Sequence, residues 1–287
     1  MTAIENFQSV RCLDPRDTNA LLYLAKSQIQ VRDYLGAAES LENLRKLKQD
    51  DPDVLYSLSV AYLKLMLANV TRLSKAAPDS YQLWLVLAQE AEARGDDPSA
   101  ANDLEHALRV NPKGVGIHYA LGSVLARDAK YQEAKEEFKE ELEVNPNDPL
   151  ALWKIGEITL RTDPQETLGY LERSVRLSPD LPQALLAYGR ALARLEETDK
   201  AVQQFQQVAR LAPEEDSVHY HLSRAYRLLG RSEEAKVEMA KFEALAEKKS
   251  ERTREQVRQL IELTREEQNA GETPESGFDP SRDPSHP

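Results

Sequence analysis

The hydrophobic and polar positions of this chain repeat with two nested periods. Within Tyr81–Gly114, Trp84, Leu87, Ala88 and Ala91 recur at spacings of three, four and seven. That spacing places them on one stripe of a helix. A turn follows at Gly95-Asp96-Asp97-Pro98, then a second stripe of Ala100, Leu104, Ala107 and Leu108, then Asn111-Pro112. Glycine and proline break helices, so the segment predicts two amphipathic helices joined as a hairpin.

The outer period is set by proline. Pro78, Pro112, Pro146, Pro179 and Pro213 are spaced by 34, 34, 33 and 34 residues. Between them the same frame returns: His118, Leu121, Gly122, Leu125, Ala134 and Phe138; then Leu185, Tyr188, Gly189, Leu192, Ala201, Phe205 and Val208; then His219, Leu222, Ser223, Tyr226, Gly230, Ala235, Met239 and Phe242. One position of each first helix is small: Ala25, Ser59, Ala88, Gly122, Gly156, Gly189 and Ser223. Another small residue opens the second helix: Ala37, Ala100, Ala134, Ala201 and Ala235. Small side chains at facing positions let two helices approach closely.

This frame resembles the tetratricopeptide repeat, from the N-terminus to about Lys249. The resemblance implies an all-α fold: a right-handed superhelical solenoid of antiparallel helix pairs, with a C-terminal capping helix and a disordered tail. Residues 1–17 read as the second helix of an incomplete leading repeat, because Ala3, Phe7, Val10 and Pro15 fall in the second-helix frame. Seven repeats follow at 18–51, 52–80, 81–114, 115–148, 149–181, 182–215 and 216–249. Residues 250–268 read as the capping helix, with a thin stripe of Val257, Leu260, Ile261 and Thr264, and 269–287 as the tail, rich in proline and poor in apolar side chains.

Two repeats depart from the frame. The one at 52–80 is about five residues short and its turn has no breaker, so its hairpin is shortened or its helices run together. The one at 149–181 lacks one residue, has Pro164 in its turn and has Thr167 where alanine is usual.

Composition fits a helical surface, with charged residues at 30% and aromatics at 6%. The net charge of −12 disfavours nucleic acid and anionic membrane unless cations are segregated on one face. The single cysteine, Cys12, excludes an internal disulfide and a cysteine-rich zinc site. No apolar run is expected to reach the roughly 18 to 20 residues that span a bilayer. The first ten residues lack a basic-then-apolar leader pattern. A cytoplasmic location is the default expectation. A true start upstream of Met1 would make a periplasmic or envelope-associated location the alternative.

No catalytic, metal or cofactor site is expected. Gly114-Val115-Gly116 lacks the third glycine of a phosphate loop. His219 and His221 are two apart on a helix and point in different directions. His118, His219 and Trp84 hold the large core position. The acidic pairs Glu136-Glu137, Glu140-Glu141 and Glu233-Glu234 read as solvated faces.

The family resemblance implies a concave groove lined by the first helix of each pair. Its groove-facing positions carry Lys26, Lys64, Arg127, Lys154, Arg161, Arg190, Arg194, Arg224 and Arg227 against Asp53, Glu92 and Glu157, with Tyr23, Tyr56, Tyr119, Trp153 and Tyr220 among them. The expected partner-binding residues are Lys64, Tyr119, Arg127, Trp153, Lys154, Arg161, Arg190, Arg194, Tyr220, Arg224 and Arg227. Arg127, Arg161 and Arg194 also sit where a cation complements a helix C-terminus, which is their purely structural explanation. The carboxylate clamp of chaperone adaptors in this family, a Lys, Asn, Asn, Lys, Arg set, does not fit. Its Asn positions hold Lys26 and Ser57, or Gln89 and Ala120, depending on register.

The function expected is therefore a non-catalytic, bacterial-style interaction scaffold or adaptor that holds an extended, acidic protein segment in its groove. The alternative is the repeat portion of a longer protein, such as an envelope assembly or secretion factor or a glycosyltransferase-type enzyme. Partners are expected to be proteins, without nucleic acid or a membrane span. If the chain self-associates, the exposed N-terminal helix is the surface expected to do it.

Overall fold

The computed structural model describes residues 3–271, and among these it contains fourteen helices and no strand. The chain divides into two compact units, Met1–Glu137 and Phe138–Pro287.

The N-terminal unit holds α1 (Ala3–Leu13), α2 (Thr18–Gln30), α3 (Tyr34–Leu47), α4 (Pro52–Ala76), α5 (Tyr81–Ala93), α6 (Asp97–Val110), α7 (Ile117–Arg127) and the start of α8 (Tyr131–Val144). The C-terminal unit continues with α9 (Pro149–Thr159), α10 (Pro164–Leu177), α11 (Pro182–Arg194), α12 (Thr198–Leu211), α13 (Asp216–Leu228) and α14 (Ser232–Gly271). The architecture is an all-α solenoid of antiparallel helix pairs, and Pro112, Pro146, Pro179 and Pro213 all fall in the breaks between one pair and the next.

The helix starts are written in the sequence. Asp17, Asp51 and Asp148 each accept two backbone N–H bonds at the N-terminus of a first helix, and Pro52, Pro149 and Pro182 stand in the first turn, where a missing N–H costs nothing. The hairpin turns share one backbone device. Arg32, Gly95, Ala129, Glu196 and Gly230 all have φ between 58° and 74°. Only glycine enters that left-handed region without strain. Glu196→Gly is therefore expected to raise stability by about 0.5–1 kcal/mol. An unchanged or lower urea midpoint would show that the Glu196 side chain offsets the strain.

The repeat at 149–181 has no such residue. Its turn is one residue shorter, and Asp163 caps α10 directly ahead of Pro164. Thr167, in the alanine position, is fully buried, and its hydroxyl is 2.8 Å from the buried hydroxyl of Thr159. Two hydroxyls that satisfy each other replace a small apolar contact.

The small residues behave as close-approach positions. A Cβ added at Gly189 would lie 2.5 Å from the Phe205 ring, and one at Gly156 would lie 2.5 Å from Leu171 Cγ. Ala37, Ala100, Ala134, Ala201 and Ala235 are all buried. Ser59 is the exception. Its residue is exposed, and its hydroxyl donates only to its own helix, at Leu55 O. The physical reason is that residues 52–76 form one unbroken helix of 25 residues, so no second helix folds back over Ser59.

α4 also overturns the expectation about apolar runs. By length and composition it is long and apolar enough to cross a membrane, with Lys64 the one charge between Val54 and Thr71. Its first half packs on α3 through Val54, Leu58 and Ala61. At the other end, the segment 250–268 continues α14 without a break, because no glycine or proline lies between Gly230 and Gly271. Val257 and Ile261 are half exposed on it. Of the expected tail, all but residues 269–271 lie outside the described residues.

Candidate partner-binding surface

In the C-terminal unit, α11 lies against both α9 and α13, so three successive first helices form one surface. Seven of the expected residues come together on these helices: Trp153 and Lys154 on α9, Arg190 and Arg194 on α11, and Tyr220, Arg224 and Arg227 on α13. Arg161 follows the C-terminus of α9 and is exposed.

Their local roles differ. Trp153 is half-buried against the cluster of Leu160, Leu171, Ala187 and Ala191. The Lys154 ammonium lies 4.2 Å from the Trp153 ring centroid and 3.2 Å from Glu157, so part of its charge is already used. Arg194 donates to the Leu160 carbonyl at 3.0 Å, one repeat away, and so caps the end of α9. Arg227 donates to Ser223 Oγ at 3.3 Å. Tyr220 is 42% exposed and touches Phe242, with ring centroids 5.7 Å apart.

The pattern of pairing is more telling than the count of charges. Among the described residues, none of Arg161, Arg190, Arg194, Arg224 and Arg227 pairs with a carboxylate. On the second-helix side of the same unit, Lys200, Arg231, Lys236 and Lys241 each do, whereas Arg173, Arg176 and Arg210 do not among the described residues. The first-helix surface is therefore electropositive in a chain of net charge −12.

His221 lies partly buried beside these arginines. It stacks on Phe205 at 5.3 Å, with Tyr220 edge-on at 5.6 Å. Burial, then the nearby Arg190, then Arg224 push its pKa down to about 4. One ring thus senses cations from α11 and α13 together. On sequence alone His221 is weighed only as a metal partner for His219, and is not placed among the expected groove residues.

Three expected residues belong to the N-terminal unit. Lys64 is exposed on α4 and Tyr119 half-buried on α7. Arg127 donates to Asp97 Oδ1 at 2.8 Å and to Glu92 Oε1 at 2.7 Å. Those carboxylates, Asp97 first, raise its pKa further. Arg127 thus holds three helices together, and its charge is spent on α5 and α6.

The histidines of the core position are satisfied where the sequence placed them. His118 Nδ1 lies 2.8 Å from Glu137 Oε2, and His219 Nδ1 lies 2.5 Å from Glu238 Oε2. Both pairs are nineteen residues apart, the same contact in two repeats. Trp84 stacks on His106 with centroids 4.3 Å apart. Cys12 is exposed.

A family model described as tetratricopeptide repeat matches residues 85–149, 161–216 and 186–248, which together make up more than half of the chain. The chain belongs to the tetratricopeptide repeat family. A curated relative, Anaphase-promoting complex subunit 3 of Schizosaccharomyces pombe, is 24% identical over 159 residues, covering 55% of this chain and 24% of the relative. This repeat protein thus spans about a quarter of that relative's length. The solved MamA fragment from Desulfovibrio magneticus RS-1 is 25% identical, with a TM-score of 0.55, and the match covers 59% of this chain and 97% of MamA. YrrB, described as a TPR protein with an unusual peptide-binding site, is 21% identical with a TM-score of 0.53, covering 61% and 91% of the two chains. That likeness shows a shared fold.

Proposed function

We propose that this tetratricopeptide repeat protein is a non-catalytic scaffold that holds an extended acidic protein segment on the surface formed by α9, α11 and α13. The observation that carries this reading is the row of arginines without carboxylate partners, Arg190, Arg194 and Arg224 above all, beside Trp153 and Tyr220. Guanidinium groups grip carboxylates with paired donors, and the rings offer flat apolar contact for the side chains between them. The relative that is a complex subunit and the neighbour described by its peptide-binding site support a binding role.

The test is fluorescence anisotropy with a labelled extended peptide in which glutamate alternates with leucine. The full chain is compared with Arg190→Glu/Arg194→Glu/Arg224→Glu, after far-UV circular dichroism has shown equal helicity. The expected loss is about a hundredfold or more in affinity, with native binding weakening as salt rises. Equal affinity of the two proteins would sink the reading. So would equal binding of a peptide with lysine in place of glutamate. A second reading, the repeat portion of a longer protein, draws on the chain's one-quarter coverage of its curated relative.

A further inference from the structure

We infer that α4 is an opened hairpin whose missing half is supplied by a second copy of this chain. The other repeats fold a second helix back onto the first. In the repeat at 52–80 the turn is missing, about five residues have gone, and the two helices are one rod. The face that a second helix should cover is left bare. Leu63, Met66 and Leu67 are 54%, 49% and 53% exposed, and Ser59, the close-approach position, is exposed as well. Tyr56, Val60, Leu63, Leu67 and Val70 follow the spacings four, three, four and three, so they form one apolar stripe. It lies on the side of α4 opposite Val54, Leu58 and Ala61, which pack on α3. After the break at 77–80, α5 scarcely touches α4.

The vacancy has a defined occupant because the second half of α4 still carries the second-helix frame. Gly189 meets Phe205 sixteen residues later. With five residues removed, the counterpart of Phe205 stands eleven residues after Ser59, at Val70. The same count places Met66 in the alanine position, and Pro78 keeps its punctuating place. On one continuous helix, residues 59 and 70 are about 16 Å apart along the axis and cannot meet. In an antiparallel pair of α4 helices from two copies, each Ser59 faces the other's Val70, and the pairing is the same in both directions, as a twofold interface requires.

Met66 supplies a further cause, since a methionine in the alanine position keeps the chain's own hairpin from closing tightly. Deleting a hinge while keeping both elements is the circumstance in which identical chains exchange them. This inference does not rest on the basic surface of the C-terminal unit.

The experiment is light scattering with size exclusion on the full chain over a dilution series, followed by cross-linking. A dimer is expected. Leu63→Glu/Val70→Glu should weaken it by about a hundredfold with helicity unchanged, since two large apolar side chains leave the interface. A second variant, with five residues including Asn-Gly inserted between Lys64 and Leu65, should close the hairpin and give a folded monomer. In a Cys12→Ser background, mixing Ser59→Cys chains with Val70→Cys chains should give a disulfide-linked pair. A native chain that is monomeric at every concentration overturns the inference. A dimer that persists in both variants overturns it too. So does a monomer that binds phosphatidylserine vesicles through Leu63 and Val70, which would make the stripe a membrane contact.

Discussion

Phe205→Ala is expected to destabilise the C-terminal unit by about 3–5 kcal/mol, the usual cost of emptying a buried aromatic site. Phe205 is 1% exposed and sits at the centre of a cluster with Leu185, Leu192, Val208, Val218 and Leu222. It therefore joins two hairpins, and neighbouring repeats share its loss. The partner substitution makes the argument specific. Gly189→Ala brings a Cβ to within 2.5 Å of the Phe205 ring, and overpacking of this kind costs about 1–3 kcal/mol. Alanine's helix preference returns only about 1 kcal/mol of that. In the Phe205→Ala background the same Cβ enters the vacated space, so Gly189→Ala should become neutral or stabilising there. Urea unfolding followed by circular dichroism gives the four free energies of the cycle. Additive effects would show that the ring and the glycine do not constrain each other.

The fold was legible because each repeat writes its own geometry. The prolines fall in the helix breaks, Gly156 and Gly189 stand where a Cβ would collide, and His118 and His219 face glutamates nineteen residues on. The left-handed turn residues were legible only where glycine marks them, at Gly95 and Gly230. Arg32, Ala129 and Glu196 adopt the same conformation because the helices on either side impose it. α4 was ambiguous for a physical reason. A missing turn with no breaker fits both a tight hairpin and a rod, and only packing decides between them. Its apolar reach was hidden in the sequence because Lys64 interrupts the run, while a helix spreads that charge to one side of the stripe.

The candidate surface was half legible. Frame positions identified which cations lie on first helices, and three of those helices do bring seven of the expected residues together. Frame positions could not show which charges are already used. Glu92 and Asp97 take up Arg127, and Glu157 with the Trp153 ring takes up much of Lys154. The arginines on α11 and α13 remain because the chain places no carboxylate within reach of them.

His221, partly buried beside those arginines, gives the C-terminal unit a measurable pH dependence. Its folded pKa of about 4 lies below the ordinary 6.5, so an unfolded chain takes up the proton before the folded one does. Stability is therefore full above pH 6.5, drains as pH falls from 6.5 towards 4, and loses nothing more to this group below that. Because part of the ring meets solvent, the loss is expected to be about 1–2 kcal/mol, less than a wholly buried imidazole would show. His221→Gln should remove this component. What remains below pH 4.5 includes Glu238. Burial raises its pKa, but donation from Lys241 and from His219 holds it below the usual value, so its contribution fails only as the pH falls further. Proton NMR of the His221 ring should give a midpoint near 4. A midpoint near 6.5 would mean that neither burial nor Arg190 and Arg224 depress it. Adding the glutamate–leucine peptide supplies the sharper comparison. A carboxylate seated between the two arginines offsets their charge, so the midpoint should rise. An unmoved midpoint at saturating peptide would place the acidic segment away from α11 and α13.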